Sequence, residues 1–238
     1  MSSMIKYILS ISAPLLKRIR KKRFTYLVIS LLLLIIAYPY VQGDMGGQLL
    51  LSFFTTIVMI LSIIAVGDKR HHTIIALVLS APWFLLLLLQ FPLIPVDTTQ
   101  IVKDEIVFAF LLFGYATYRI FMHIINSREV TAEILSASVC VYILIGLTFA
   151  TLYYFIETFY PGSFIDTDGN ALESGPDFLF FSYVTLTTVG YGNIEAITNQ
   201  ARSLASLEAL TGQLYLTIMV ARLVGLHISK PKSKESTA

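Results

Sequence analysis

Apolar, uncharged stretches separated by short polar breaks run along most of the chain. Residues 24–43, 45–67, 73–96 and 134–156 carry no charged side chain, and each reaches or exceeds the roughly 20 residues that cross about 30 Å of hydrocarbon as a helix. Two further stretches keep the pattern with few interruptions. Residues 106–125 contain only Arg119 and His123, both late enough to snorkel towards one membrane face. Residues 203–228 contain Glu208 and Arg222 and are otherwise largely apolar. The pattern predicts six spans. An uncharged stretch between Asp177 and Glu195 is too short for a comfortable crossing and ends in a glycine-rich turn. It is expected to dip into the bilayer and return to the side it left. Backbone of that kind is tolerated at membrane depth only where protein buries it or where it lines a watery path, so a conduit is already implied.

The expected fold class is therefore an all-α membrane protein, with six transmembrane helices and a re-entrant helix and loop between helices five and six. Composition agrees: 56% of residues are hydrophobic and 13% charged, against roughly a quarter charged in soluble domains. Cys140, the only cysteine, falls inside a predicted span, so no internal disulfide forms and a small buried apolar residue is expected. The apolar residues 4–16 precede the basic cluster, the reverse of a secretory signal, and are expected to lie along the inner membrane surface.

Charge supplies the orientation. Lys17, Arg18, Arg20, Lys21, Lys22 and Arg23 lie just before the first span, which places that end in the cytoplasm. Lys69 and Arg70 with His71 and His72, then Arg128, then Lys230, Lys232 and Lys234 fall on the same side. Both termini are expected in the cytoplasm and the protein in the plasma (inner) membrane. The opposite loops are acidic: residues 157–177 hold five acids and no lysine or arginine. Acidity at an outer mouth concentrates cations; an ordinary solvated loop is the rival account.

The dip reads Thr185-Leu186-Thr187-Thr188-Val189-Gly190-Tyr191-Gly192-Asn193. It resembles the selectivity filter of tetrameric potassium channels, whose TVGYG core stands unchanged at Thr188, Val189, Gly190, Tyr191 and Gly192. A filter replaces the water shell of a dehydrated cation with several oxygens on one axis, and neutral backbone carbonyls suit that task. Successive carbonyls point the same way only if alternate residues take dihedrals that glycine tolerates best. The resemblance implies potassium sites at Thr188, Val189, Gly190 and Tyr191, in a pore of four identical subunits, each chain being joined by three copies. It is the bacterial six-span type of channel that the chain resembles, without an arginine-rich voltage sensor. The helix before the filter, roughly residues 176–187, begins with Pro176 and Asp177, suited to a first helical turn. Its dipole would aim negative charge at the cavity beneath the filter. Thr185, Phe180 and Phe181 are expected to support the filter. Two departures stand out: Asn193 follows the second glycine where aspartate is common, and Phe180 and Phe181 replace a frequent tryptophan, losing its hydrogen-bond donor.

Gly212 lies where simple bacterial potassium channels resemble this chain in carrying a hinge glycine, with close packing against the pore helix as the rival reason. Gly225 is read as a helix terminator. Glu208, a carboxylate within a span, is expected to make a structural bond behind the filter rather than bind ions or gate. Arg222 lies ten residues past Gly212, about 15 Å along a helix and so near the inner mouth. It either snorkels to lipid phosphate or stabilises a closed gate. Residues 126–129 fit a capping box opening a short linker helix. His71 and His72 read as solvated. With Arg119 alone in the fourth span, steep voltage gating is not expected.

The expected organisation is a cytoplasmic segment (1–23), a peripheral four-helix unit (24–125), a linker helix (126–134), a pore domain (135–228) and a cytoplasmic tail (229–238). Passive potassium flow is expected, without catalysis or cofactor, with lipids and potassium as partners and no nucleic acid. A nonselective cation channel or a non-conducting regulatory subunit is the alternative. A transporter subunit with four non-identical pore loops disagrees with the single filter copy. The eleven residues after His227 are too few for a nucleotide- or calcium-binding domain.

Overall fold

The structure, a computed structural model, describes residues 22–37, 45–67, 70–89, 98–172 and 175–228. The N-terminal segment before residue 22, the tail after residue 228 and residues 38–44, 68–69, 90–97 and 173–174 lie outside the described residues. Among the described residues seven helices carry the fold: α1 (Arg23–Ala37), α2 (Met45–Val66), α3 (Arg70–Leu89), α4 (Thr98–Asn126), α5 (Ala132–Phe159), α6 (Gly175–Leu186) and α7 (Asn199–Ile228). Two three-residue strands, β1 (Phe164–Asp166) and β2 (Ile194–Ala196), interrupt the all-α expectation. Three stretches are long and apolar enough to cross a membrane among the described residues: Ile106–Asn126, Ala132–Phe159 and Asn199–Leu226. Arg23–Ala37 and Phe53–Val66 are shorter apolar helices.

Of the peripheral helices, α1 and α4 pack on the fifth. α1 lies against α2 and α5, α3 against α2 and α4, and α4 along α5. Leu27 and Leu31 of α1, Met59 of α2, Leu112, Ile120 and Ile124 of α4 and Leu144 of α5 are fully buried in the shared core. The lower end of α1 is also held by polar contacts. The Phe24 amide donates to Glu133 Oε1 at 3.2 Å, and Cys140 Sγ lies 3.3 Å from the Phe24 carbonyl. Cys140 is wholly buried there.

Two boundaries differ from the sequence reading. The linker helix expected over 126–134 is absent: Asn126 closes α4, residues 127–131 are non-helical, and α5 starts at Ala132. The cap is Thr131, whose Oγ1 accepts the Ile134 amide at 3.2 Å from an extended backbone. Ser127 donates to the Glu129 carbonyl at 2.9 Å, a local bond that competes with helix, and the β-branched pair Val130 and Thr131 favours extension. Gly225 does not terminate the last helix, which continues to Ile228; a glycine in an open position costs a helix only about 1 kcal/mol.

α6 sits between α5 and α7. β1 follows α5, β2 follows the loop after α6, and the two strands pair antiparallel with Phe164 opposite Ala196 and Asp166 opposite Ile194. The chain after that loop thus returns to the end of the molecule from which α6 set out. A second apolar cluster forms there from Tyr153, Phe164, Phe178 and Phe181. Its rings meet edge to face, Tyr153 on Phe164 at 5.2 Å and on Phe181 at 5.1 Å, the arrangement that ring quadrupoles favour.

Candidate functional site

The loop at the foot of α6 is built by the last turn of the helix. Thr188 and Val189 donate their amides to the carbonyls of Thr185 and Val184, both at 2.9 Å. Beyond this point the backbone alternates. Thr188, Gly190 and Gly192 take φ values of 59°, 60° and 73°. Glycine reaches this left-handed region cheaply, but Thr188 is β-branched, the least suited kind of side chain. Such strain costs on the order of 1–3 kcal/mol and persists only where the surroundings over-determine it. Left-handed geometry at every second residue turns successive peptide groups to a common side, and the loop can present a row of neutral oxygens.

Thr188 through Asn193 are exposed in the single chain, with Val189 54% and Tyr191 70% accessible. The Tyr191 ring stacks on Phe180 with centroids 6.1 Å apart and planes 10° from parallel. Phe180 and Phe181, adjacent on α6, therefore serve opposite sides: Phe180 meets the loop and Phe181 the Tyr153 cluster. Val189, Tyr191 and Asn193 border a groove of about 570 Å³ that also touches Ile35 of α1. After the loop, the β ribbon fixes the chain. Ile197 donates to the Ser163 carbonyl at 2.8 Å, and Arg202 Nε to the Ala196 carbonyl at 3.0 Å.

Beneath the loop, α6 and α7 touch closely. A Cβ on Gly212 would strike the carbonyl oxygen of Leu186 and come within 2.9 Å of Leu186 Cδ1. Close packing accounts for this glycine, and nothing in its surroundings marks a hinge. The next residue, Gln213, reaches Thr188 Oγ1 at 3.5 Å. Gly146 of α5 is confined in the same way by the Tyr183 ring of α6, and the Tyr183 hydroxyl donates to the Ile143 carbonyl at 3.0 Å. Glu208 is fully buried and meets the hydroxyls of Ser182 and Tyr153, so it stands behind α6 and makes no contact with residues 188–193 among the described residues. Arg222 does not reach the loop, and one of its two terminal nitrogens, Nη2, is held within the chain. That nitrogen donates to the carbonyls of Ile124 at 3.1 Å, Ile125, and Ser127 at 2.8 Å, the open end of α4, where a cation also suits the helix dipole.

Two acids of the stretch 157–177 make local bonds to backbone amides. Glu157 is buried, accepting the amides of Gly162 at 2.5 Å and Phe164 at 3.0 Å. Asp166 accepts the amides of Asp168 and Asn170 at 2.9 and 2.8 Å, and the Asn170 bonds first among several hold its carboxyl below the ordinary 3.8. His72 is not a solvated bystander: its Nδ1 lies 2.6 Å from the Tyr115 hydroxyl of α4. The sequence reading missed Tyr153, Ser182, Gly146, Glu157 and Gln213. A carboxylate within a span needs donors at its own depth, a signal that pointed to hydroxyls on the two neighbouring helices without saying which.

Residues 141–227, from within α5 to the end of α7, match the family model described as an ion channel. The match covers α6, the alternating loop and the ribbon strand after it, and it supports an ion channel embedded in a membrane. No curated protein and no solved structure matches the chain.

Proposed function

We propose that the chain is one of four identical subunits of a potassium-selective channel that carries potassium passively down its electrochemical gradient. The observation that supports this most is the alternation of left-handed dihedrals at Thr188, Gly190 and Gly192, falling on the TVGYG core directly after a helix C-terminus. The carbonyls of Thr188, Val189, Gly190 and Tyr191 would hold dehydrated potassium. Ringing an axis requires several copies of a chain with one such loop, and the exposure of Val189 and Tyr191 in the single chain leaves side chains for neighbouring copies to cover.

In this reading α6 and the loop are re-entrant, α1 to α5 and α7 are the six spans, both termini are cytoplasmic and the protein sits in the plasma (inner) membrane. α1 to α4 form the peripheral unit, and lipids are the remaining partner. Neither catalysis nor a cofactor is involved. Moving one charge through 100 mV is worth about 2.3 kcal/mol, so Arg119 alone gives weak voltage dependence.

Ion flux through purified protein in liposomes tests this, with potassium compared against sodium gradients and Gly190→Ala as control. The expected result is potassium flux that the substitution abolishes. Equal sodium flux would make the protein a nonselective cation channel, and no flux under any stimulus would make it a non-conducting regulatory subunit.

A further inference from the structure

Glu208 of α7 is 0% exposed within a single chain, so no neighbouring subunit can reach it. Its Oε1 lies 2.5 Å from Ser182 Oγ of α6, and its Oε2 lies 2.5 Å from the Tyr153 hydroxyl of α5. Ser182 Oγ is also 2.7 Å from the Gly146 carbonyl of α5.

Counting hydrogens decides the charge. A hydroxyl carries one hydrogen and a carbonyl none. The close approach of Ser182 Oγ to the Gly146 carbonyl therefore uses the serine hydrogen. The 2.5 Å contact between Ser182 Oγ and Glu208 then needs a hydrogen from the glutamate, while Tyr153 supplies its own to Oε2. We infer that Glu208 is held as a neutral acid with its proton on Oε1, and that this proton locks the helix bearing the selectivity loop between α5 and α7. Glu208 is a positioning residue, acting through Ser182; its effect on conduction rests on the channel reading above.

The surroundings agree. The other titratable groups facing Glu208 are Tyr142 and Tyr153 of α5 and Tyr183 of α6, phenols that are uncharged near neutral pH. No basic side chain pairs with it among the described residues, and an unpaired buried carboxylate is strongly disfavoured. Were the proton lost, the single Ser182 hydrogen could not serve both Gly146 and the carboxylate. One of the two helix contacts would open, and α6 would lose its fixed place. Conduction is expected to fall as the pH rises, in the range below that where phenols titrate.

Infrared spectroscopy of the purified chain in lipid at neutral pH reads the proton directly, with Glu208→Gln as comparison. Glutamine can repeat the same bonds, its amide donating to Ser182 and accepting from Tyr153. The expected result is one carboxylic-acid carbonyl band that disappears in Glu208→Gln, together with loss of the alkaline fall in flux. Identical acid bands in parent and variant would overturn the inference, whether or not the protein conducts. Should Glu208→Gln fail to assemble, Ser182→Ala keeps the acid and removes its acceptor. The band is then expected to shift to the frequency of a more weakly bonded acid, and an unmoved band would equally overturn it.

Discussion

The helices around the loop and the helices at the periphery are held together by different means. α5, α6 and α7 are cross-braced by polar atoms: Tyr183 to the Ile143 carbonyl, Tyr215 to the Ser138 carbonyl at 2.6 Å, and Glu208 to both Ser182 and Tyr153. They also approach until Gly146, beneath the Tyr183 ring, and Gly212, against the Leu186 carbonyl, have no room for a Cβ. Between α1, α2, α3 and α4 the contacts among the described residues include a large aliphatic share, with bonds such as Trp83 Nε1 to Thr56 at 3.3 Å and His72 to Tyr115. Directional bonds fix helices in register, whereas aliphatic packing tolerates sliding and exchange of side chains of similar volume. Under the proposed function, the half that would hold carbonyl oxygens in place uses the first kind.

The contrast breaks most visibly at the glycines. Gly212→Ala, forced against the Leu186 carbonyl, is expected to destabilise the protein by about 1–3 kcal/mol and to abolish flux in the same assay. Gly225→Ala has nothing within 4 Å and should leave melting unchanged or raise it by up to about 1 kcal/mol. Equal effects of the two would show that the α6–α7 contact is not tight. Arg222 joins the two halves and gives the next effect. Arg222→Ala leaves the carbonyls that end α4 without their cation and should cost about 1–2 kcal/mol in thermal melting. Arg222→Lys should recover only part of it, since the shorter lysine side chain does not carry its ammonium as far as Nη2.

The smallest effect lies at the outer edge. Asp166 is partly exposed, and its carboxyl is held below 3.8 by the Asn170 bonds and the amides of Asp168 and Gly169. Since the folded value is depressed, the turn's contribution is complete above 3.8 and is lost as the pH falls through the lower folded value. Amide exchange at Asp168 and Asn170 should accelerate in that acidic range. Asp166→Asn, which cannot ionise, should remove the pH dependence while leaving the pore half untouched.

Much of the helix layout was legible in the residues. The expected stretches 106–125, 134–156 and 203–228 appear inside α4, α5 and α7, and the helix read at 176–187 appears as Gly175–Leu186. The left-handed alternation was legible at Gly190 and Gly192, because glycine announces such dihedrals; at Thr188 the residue type gave no sign of it. The linker helix was misread because a capping pattern at residues 126–129 is local, while the bonds that oppose it include Arg222 from the far end of the chain.

Apolar run length and the placement of charge depend only on neighbours in sequence, so the membrane character, the helix positions and the glycines of the loop are properties of the chain as written. Which hydroxyls meet Glu208, why Gly212 lacks a side chain and what Arg222 holds depend on residues 26 to 98 positions away in the bonds concerned. Those partners are chosen by how α4 to α7 stack. A buried polar group must find a donor or acceptor somewhere in that stack, and the need is visible in the sequence while the partner is decided only by the fold.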